Sequence, residues 1–348
     1  MPNINLKQSN NAHIVQNLTR EDLQELERKP KSHRDLIIDQ LICAFPILCG
    51  FLALAEYLWV PDIARNFNSH YYIYFLLILI VASTIYFLLS LSNRQFFIKL
   101  REKAPFHCLV YILLMTYDIL TLKSGILKLP YFPWVNQIIE AIFSDHAYLT
   151  ESVLNSLKLL FTGYAWGVVL GLITGITCGY SKKIAYWFAP FMNLIGAIPT
   201  ITWIPIVMVL VSSLFYGAVF IIALGVWYAV SLATMSGIHN IDPAYYDAAK
   251  VLGAKENQLI SKVTIPMAMP NIFSGLTQGM STACTALIVA EMVGVESGLG
   301  WYVTWQRNWA QYAKMYAAII IICVLFISVK FIVDQLAAYV LRWQERRV

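Results

Sequence analysis

The chain has 348 residues, of which 59% are hydrophobic and only 13% charged, with a net charge of +5. Long uncharged runs on that composition exclude a soluble globular domain and point to an all-α polytopic membrane protein. The positive balance sits in basic clusters between apolar runs, so no nucleic-acid partner is expected.

Residues 1–36 are polar and read as a cytosolic tail, with no cleavable signal pattern. Within it, Thr19 to Arg28 either forms a short helix capped by Thr19 or stays a disordered tail. A bilayer crossing needs about 20 mostly apolar residues. Spans are predicted near 37–60, 71–92, 106–123, 153–180, 185–211, 214–235, 268–291 and 315–340. The basic residues Lys29 to Arg34, Arg94 to Lys103, Lys182 and Lys183, Lys250 to Lys262, and Arg342 to Arg347 all fall on one side of an eight-span chain. By the positive-inside rule that side, with both termini, is cytosolic. Trp59, Trp134, Trp301, Trp305 and Trp309 would belt the opposite face.

Ionisable residues in or near the spans are few. Asp39, Glu56 and Asp118 fall near predicted span ends, where water is within reach, and Lys330 and Asp334 are spaced to neutralise one another. Gly163, Gly167, Gly171, Gly175 and Gly179 recur every four residues along the fourth span. They form a small-residue stripe for helix packing, either static or sliding. The fifth span is broken by Pro199 and Pro205 and carries Thr200, Thr202 and Trp203. Carbonyls freed by proline need protein or water partners, which suits a wall of a solute pathway. Thr277, Gln278, Ser281, Thr282 and Thr285 on the seventh span would supply the facing hydroxyls and amide, with Glu291 at its far end as a gate or a loop-fixing residue.

Between the sixth and seventh spans lies a polar segment, 236–267. Asp242 before Pro243 is a strong helix start. Gly253 suits a left-handed helix end, and a second helix is expected from Ala254 to Thr264, stopping at Pro266. Asp247-Ala248-Ala249, Gly253 four positions on, and Val263-Thr264-Ile265-Pro266 resemble the EAA loop of permease subunits in ABC-type importers. The departures are Asp for Glu, Val for Ile and Ile for Leu. Leu129-Pro130-Tyr131-Phe132-Pro133, Ile198-Pro199 with Trp203-Ile204-Pro205, and Ala290-Glu291-Met292 with Ser297-Gly298-Leu299-Gly300 are similar to the nitrate, sulfonate, taurine and bicarbonate branch.

The resemblance covers residue 127 to the C-terminus and implies a type I permease core over 126–348, preceded by a transmembrane extension at 37–125 that it does not explain. It implies a multi-pass subunit of the bacterial plasma membrane that pairs with a second copy and works with two cytosolic ATPase subunits and an extracytoplasmic binding protein. The ATPase contact would be carried by Asp242, Tyr246, Asp247, Ala248, Ala249, Leu252, Gly253, Ala254 and Pro266. The chain has no Gly-x-x-x-x-Gly-Lys-Ser/Thr motif, so ATP and Mg are expected on the partner ATPase and no cofactor here. His and Cys show no metal-ligand spacing, and no catalytic residues are expected. Where the family often has Arg, this chain has Thr277, although Lys158 near the outer end of the fourth span could still attract an anion. The readings left open are a small anion, a neutral or aromatic solute such as a vitamin or pyrimidine precursor, and a non-transporting membrane scaffold or sensor.

Overall fold

The computed structural model describes residues 33–63 and 70–343. The expected helix at 19–28 and the basic residues Arg346 and Arg347 lie outside them. All regular elements among the described residues are helical, and the chain divides into two compact units, 1–126 and 127–348.

Among the described residues, the first unit comprises three helices, α1 (His33–Trp59), α2 (Tyr71–Ser92) and α3 (Arg94–Asp118), the last running into a π turn at Ile119–Lys123. Asn93 ends α2 and starts α3, accepting the Gln95 N–H at 2.9 Å. The third helix begins at Arg94, well before the apolar run at 106, because its basic first turns need no burial to be helical. Cys49, Ile80, Cys108 and Tyr111 form the core. One expectation fails in this unit. Asp39, at 2% exposure, Asp118, at 0%, and the carboxylate of Glu56 do not reach water. A span-end position guarantees access only when no neighbouring helix covers it. Asp39 is covered and pairs with Arg101 of α3 at 2.5 Å.

The second unit contains α4 (Val135–Ser144), α5 (His146–Tyr180), α6 (Lys182–Ala197), a 3-10 turn (Thr200–Trp203), α7 (Ile204–Leu210), α8 (Leu214–His239), α9 (Pro243–Val251), α10 (Glu256–Leu259), a π turn (Ile260–Thr264), α11 (Ile265–Gly294), α12 (Leu299–Asn308) and α13 (Tyr312–Leu341). Among the described residues, seven helical stretches are long and apolar enough to cross a membrane; the pair α6 and Thr200–Leu210, bent by 94°, makes eight if taken as one broken span. The two prolines act differently in that break. Pro199 forces the preceding Ile198 out of the helical region, to φ −102° and ψ 120°, whereas Pro205 sits in the first turn of α7, where its missing N–H costs nothing.

Helix α8 is the axis of this unit, packed on α5 on one side and α11 on the other. The glycine stripe of α5 lies against a matching stripe on α8. A Cβ added to Gly163, Gly167, Gly171, Gly175 or Gly179 would come within 2.5–2.9 Å of Ile222, Val226, Val230, Thr234 or Ile238, respectively. Both stripes have a four-residue period, and the second is entirely β-branched, so stiff knobs enter holes that only glycine leaves open. Thr174 and Ser231 share a 2.6 Å hydrogen bond along the same seam.

Three further expectations are corrected. The helix after Gly253 does not stop at Pro266; Glu256 to Gly294 is one helical path of 39 residues. The π turn shifts the register by one residue, with the Ile265 N–H bonded to Ile260 O, so Pro266 falls in a first turn. Trp134 is buried at 5% exposure and cannot join an interfacial belt. Lys330 and Asp334 are both exposed and form none of the ion pairs found among the described residues.

Candidate functional site

Helix α9 is built from its own ends. Asp242 caps it, its Oδ1 accepting the Ala244 N–H at 2.9 Å, and Pro243 occupies the first turn. At the other end Gly253 has φ +82°; its N–H donates to Lys250 O at 2.9 Å, and the Ala254 N–H donates to Ala249 O at 3.0 Å. That double closure is the Schellman arrangement. An added Cβ on Gly253 would meet nothing within 4 Å, so glycine is needed there for the left-handed backbone and not for space.

No residue of α9 is buried. Asp247 and Ala248 are exposed, Ala249 and Ala254 half-buried, and the two apolar residues at the helix end, Val251 and Leu252, are 88% and 86% exposed. The helix is tethered by few contacts. Thr264 gives its hydroxyl proton to Leu259 O at 3.1 Å, so Tyr246 is the donor in the 3.2 Å contact between their hydroxyls. Beyond Gly253, Tyr180 at the end of α5 donates to the Glu256 carboxylate, and Leu259 is buried. Tyr180 and Thr264 had no local signal as anchors, because each becomes one only through a residue brought alongside it by folding.

The pathway residues separate into two groups. Thr200, Gln278 and Thr282 come together on the wall of a cavity of about 510 Å³, joined by Tyr228 and Ser236 of α8. Gly225 permits this approach: a Cβ there would be 2.8 Å from Thr282 and 3.4 Å from Thr200. Pro199 and Thr202 form the exposed bend beside it, with the Thr202 N–H donating to Pro199 O at 2.9 Å. Trp203 packs against the main core, its indole N–H buried without a partner. Ser281, Thr282 and Thr285 donate their hydroxyl protons to carbonyls four residues back, leaving oxygen lone pairs to face outward. The cavity wall contains no lysine or arginine. Tyr228 was not among the expected lining residues, since its helix reads as uniformly apolar.

Glu291 lines no part of that cavity. At 1% exposure, it accepts the Ser156 hydroxyl at 2.6 Å on one oxygen and the Gly300 N–H at 2.8 Å on the other, while Ser156 accepts the Leu299 N–H at 2.9 Å. A carboxylate thus caps the first turn of α12, reaching from α11 with a serine of α5 as its second support. Gly298, at φ +104°, turns the chain into this cap. The next turn is fixed by Asp145, which accepts the Tyr302 hydroxyl and pairs with Lys314 at 3.1 Å. Burial and this carboxylate hold the Tyr302 phenol well above its usual range. Along α12, Trp301 and Trp305 stack at 5.3 Å, followed by Trp309 at 6.0 Å. Lys158 lies over the Phe215 ring at 5.8 Å.

The curated relatives named here match this chain over 52–59% of its length. A putative aliphatic sulfonates transport permease protein, SsuC of Bacillus subtilis, is 32% identical over 182 residues, covering 52% of this chain and 66% of the relative. The bicarbonate transport system permease protein CmpB of Synechococcus elongatus is 27% identical over 191 residues, 54% of this chain and 66% of its own. The nitrate import permease protein NrtB of the same organism is 25% identical over 214 residues, 59% and 77%. The chain thus spans just under two thirds of the length of the first two. Among solved structures, an inward-facing MetNI methionine ABC transporter chain is 21% identical, with a TM-score of 0.48 over 57% of this chain and 98% of that one. Residues 167–345, just over half of the sequence, match the family described as binding-protein-dependent transport system inner membrane component. With its apolar helices, the protein is a multi-pass component of the inner membrane, and it belongs to that family.

Proposed function

We propose that this chain is the transmembrane permease subunit of an ATP-driven importer, forming half of a solute pathway and coupling it to a separate ATPase. The observation that carries the reading is α9, a well-capped helix with no buried residue that ends in exposed Val251 and Leu252. Apolar side chains held this far into solvent by a rigid cap belong to a contact surface. Two copies of the chain would supply two such helices to two ATPase subunits, with ATP and Mg bound there. Both termini and α9 lie on the cytosolic side, and a binding protein delivers solute to the opposite face. Closure of the ATPases would move α9 and, through Tyr246 and Glu256, the base of α11. The two membrane halves would then rock as rigid bodies between outward and inward openings.

The transport activities for which the relatives are named favour a small anion such as sulfonate, bicarbonate or nitrate. One observation favours a second reading. The cavity at Thr200, Gln278 and Thr282 offers hydroxyls, an amide and the Tyr228 ring but no cationic side chain, which suits a neutral hydrogen-bonding or aromatic solute. Purification from native membranes with a solute-screened ATPase assay tests both. Recovery of an ATPase whose hydrolysis a solute stimulates supports the importer and identifies its cargo; recovery without an ATPase overturns it. In the same complex Ala249→Arg should insert normally yet lose solute-stimulated hydrolysis, and normal uptake would sink the role given to α9.

A further inference from the structure

The family match begins at residue 167, so the unit formed by α1 to α3 lies outside it. That unit holds the buried carboxylates without hydrogen-bond partners among the described residues. Where the ends of α1 and α3 meet, Glu56, Asp62, Asp118 and Lys123 gather, faced by Tyr57 of α1 and Tyr72 of α2. The three protons of the Lys123 ammonium are all engaged: it donates to Tyr57 O at 2.9 Å, Val60 O at 2.6 Å and Asp62 Oδ1 at 2.6 Å. Its positive charge therefore answers one carboxylate. Two others remain. Asp118 is 0% exposed, and neither its oxygens nor those of Glu56 meet a hydrogen-bond donor.

Two ionised carboxylates in one cluster, out of water and without donors, are not a stable arrangement. Among the described residues no group of three or more His, Cys, Asp or Glu could hold a metal ion. We propose that Glu56 and Asp118 form a proton-binding site in which Asp118 holds the proton as a neutral carboxyl group. Uptake turns a carboxylate into a carboxyl group and raises the local charge by one; release sends the proton to water and reverses this. The proton state has a mechanical consequence. Lys123 clasps the segment after α1 to the π turn after α3, a closure shared by the Ile63 N–H bond to Leu122 O at 3.3 Å. An ionised Asp118 would compete with Asp62 and the two carbonyls for that ammonium and loosen the clasp.

Infrared difference spectroscopy of the full chain in lipid nanodiscs tests the proposal. The wild type should show the carbonyl stretch of a protonated carboxyl group at neutral pH, lost on alkaline titration and absent from Asp118→Asn. Glu56→Gln should keep the band but move its midpoint, since it removes the second buried carboxylate of the cluster. Wild-type protein without a titrating band of this kind overturns the proposal whether or not the variants fold. So does a band that survives in Asp118→Asn, or a midpoint unmoved in Glu56→Gln.

Discussion

The seam between α5 and α8 and the helix α9 use the same residue type for opposite reasons. In the seam, each of five glycines faces a β-branched side chain that an added Cβ would strike. At the end of α9, Gly253 faces nothing at all, and only its φ of +82° requires glycine. The seam is therefore specified by volume and should be intolerant of any side chain. Helix α9 is specified by backbone geometry, and its exposed face is free to be shaped by a partner. The proposed permease would need both kinds of region, one to hold membrane helices together and one to present a contact to water.

The largest expected effect lies in the seam. Gly167 is the tightest point, with a Cβ placed 2.5 Å from Val226 and 2.7 Å from the backbone oxygen of Ala223. Gly167→Ala should lower stability by about 1–3 kcal/mol, the usual cost of overpacking. Gly167→Leu should prevent accumulation of folded protein, read as loss of the thermal transition in detergent. A normally folded Gly167→Leu would mean that the two helices can part, and the contrast with α9 would collapse. Next in size is Glu291→Ala, which strands the buried donors Ser156 Oγ–H and Gly300 N–H at about 1–3 kcal/mol each. Glu291→Gln keeps one acceptor and should recover part of that loss in the same thermal assay.

These residues also show what could be read from the chain and what could not. The four-residue glycine period, the break at Pro199 and the Asp242 to Gly253 spacing are local patterns, and each predicts a local geometry found in the structure. The β-branched stripe at 222, 226, 230, 234 and 238 was equally local but went unread, because in an apolar span it differs little from its surroundings. Glu291 lies 135 residues from Ser156, and Asp39 lies 62 from Arg101, and no short pattern joins either pair. Asp118 and Glu56 were misplaced for the same reason. Their distance from a span end was legible, but the helix that covers them was not. Pro266 reads as the end of a helix, because the π turn that keeps the helix continuous through it has no sequence signature.

A smaller effect is expected where glycine serves only the backbone. Gly253→Ala forces an L-residue into the left-handed region at a cost of about 1–2 kcal/mol. Because α9 buries nothing, that cost should stay local: the thermal midpoint should scarcely move, while amide exchange in the Ala248 to Ala254 turn quickens. Gly253→Asn should show less of it, since asparagine enters this region more readily. A global loss of stability as large as that of Gly167→Ala would show that α9 is part of the packed core after all.

The smallest change tests the other end of the same helix. Asp242→Ala removes the single side-chain bond to the Ala244 N–H and should cost about 1 kcal/mol of helix stability, in the range of other lost caps. Asp242→Ser should restore most of it, since a hydroxyl can accept the same N–H and no charge is needed for the geometry. If α9 were only a connector, fraying its first turn would leave solute-stimulated ATPase activity unchanged. On the proposed role, a helix tethered by little more than Tyr246 would transmit force only while its first turn stays closed, so hydrolysis should become less responsive to solute at unchanged protein levels. Full response in Asp242→Ala, alongside measurably faster exchange at Ala244, would place the contact on the Gly253 end alone.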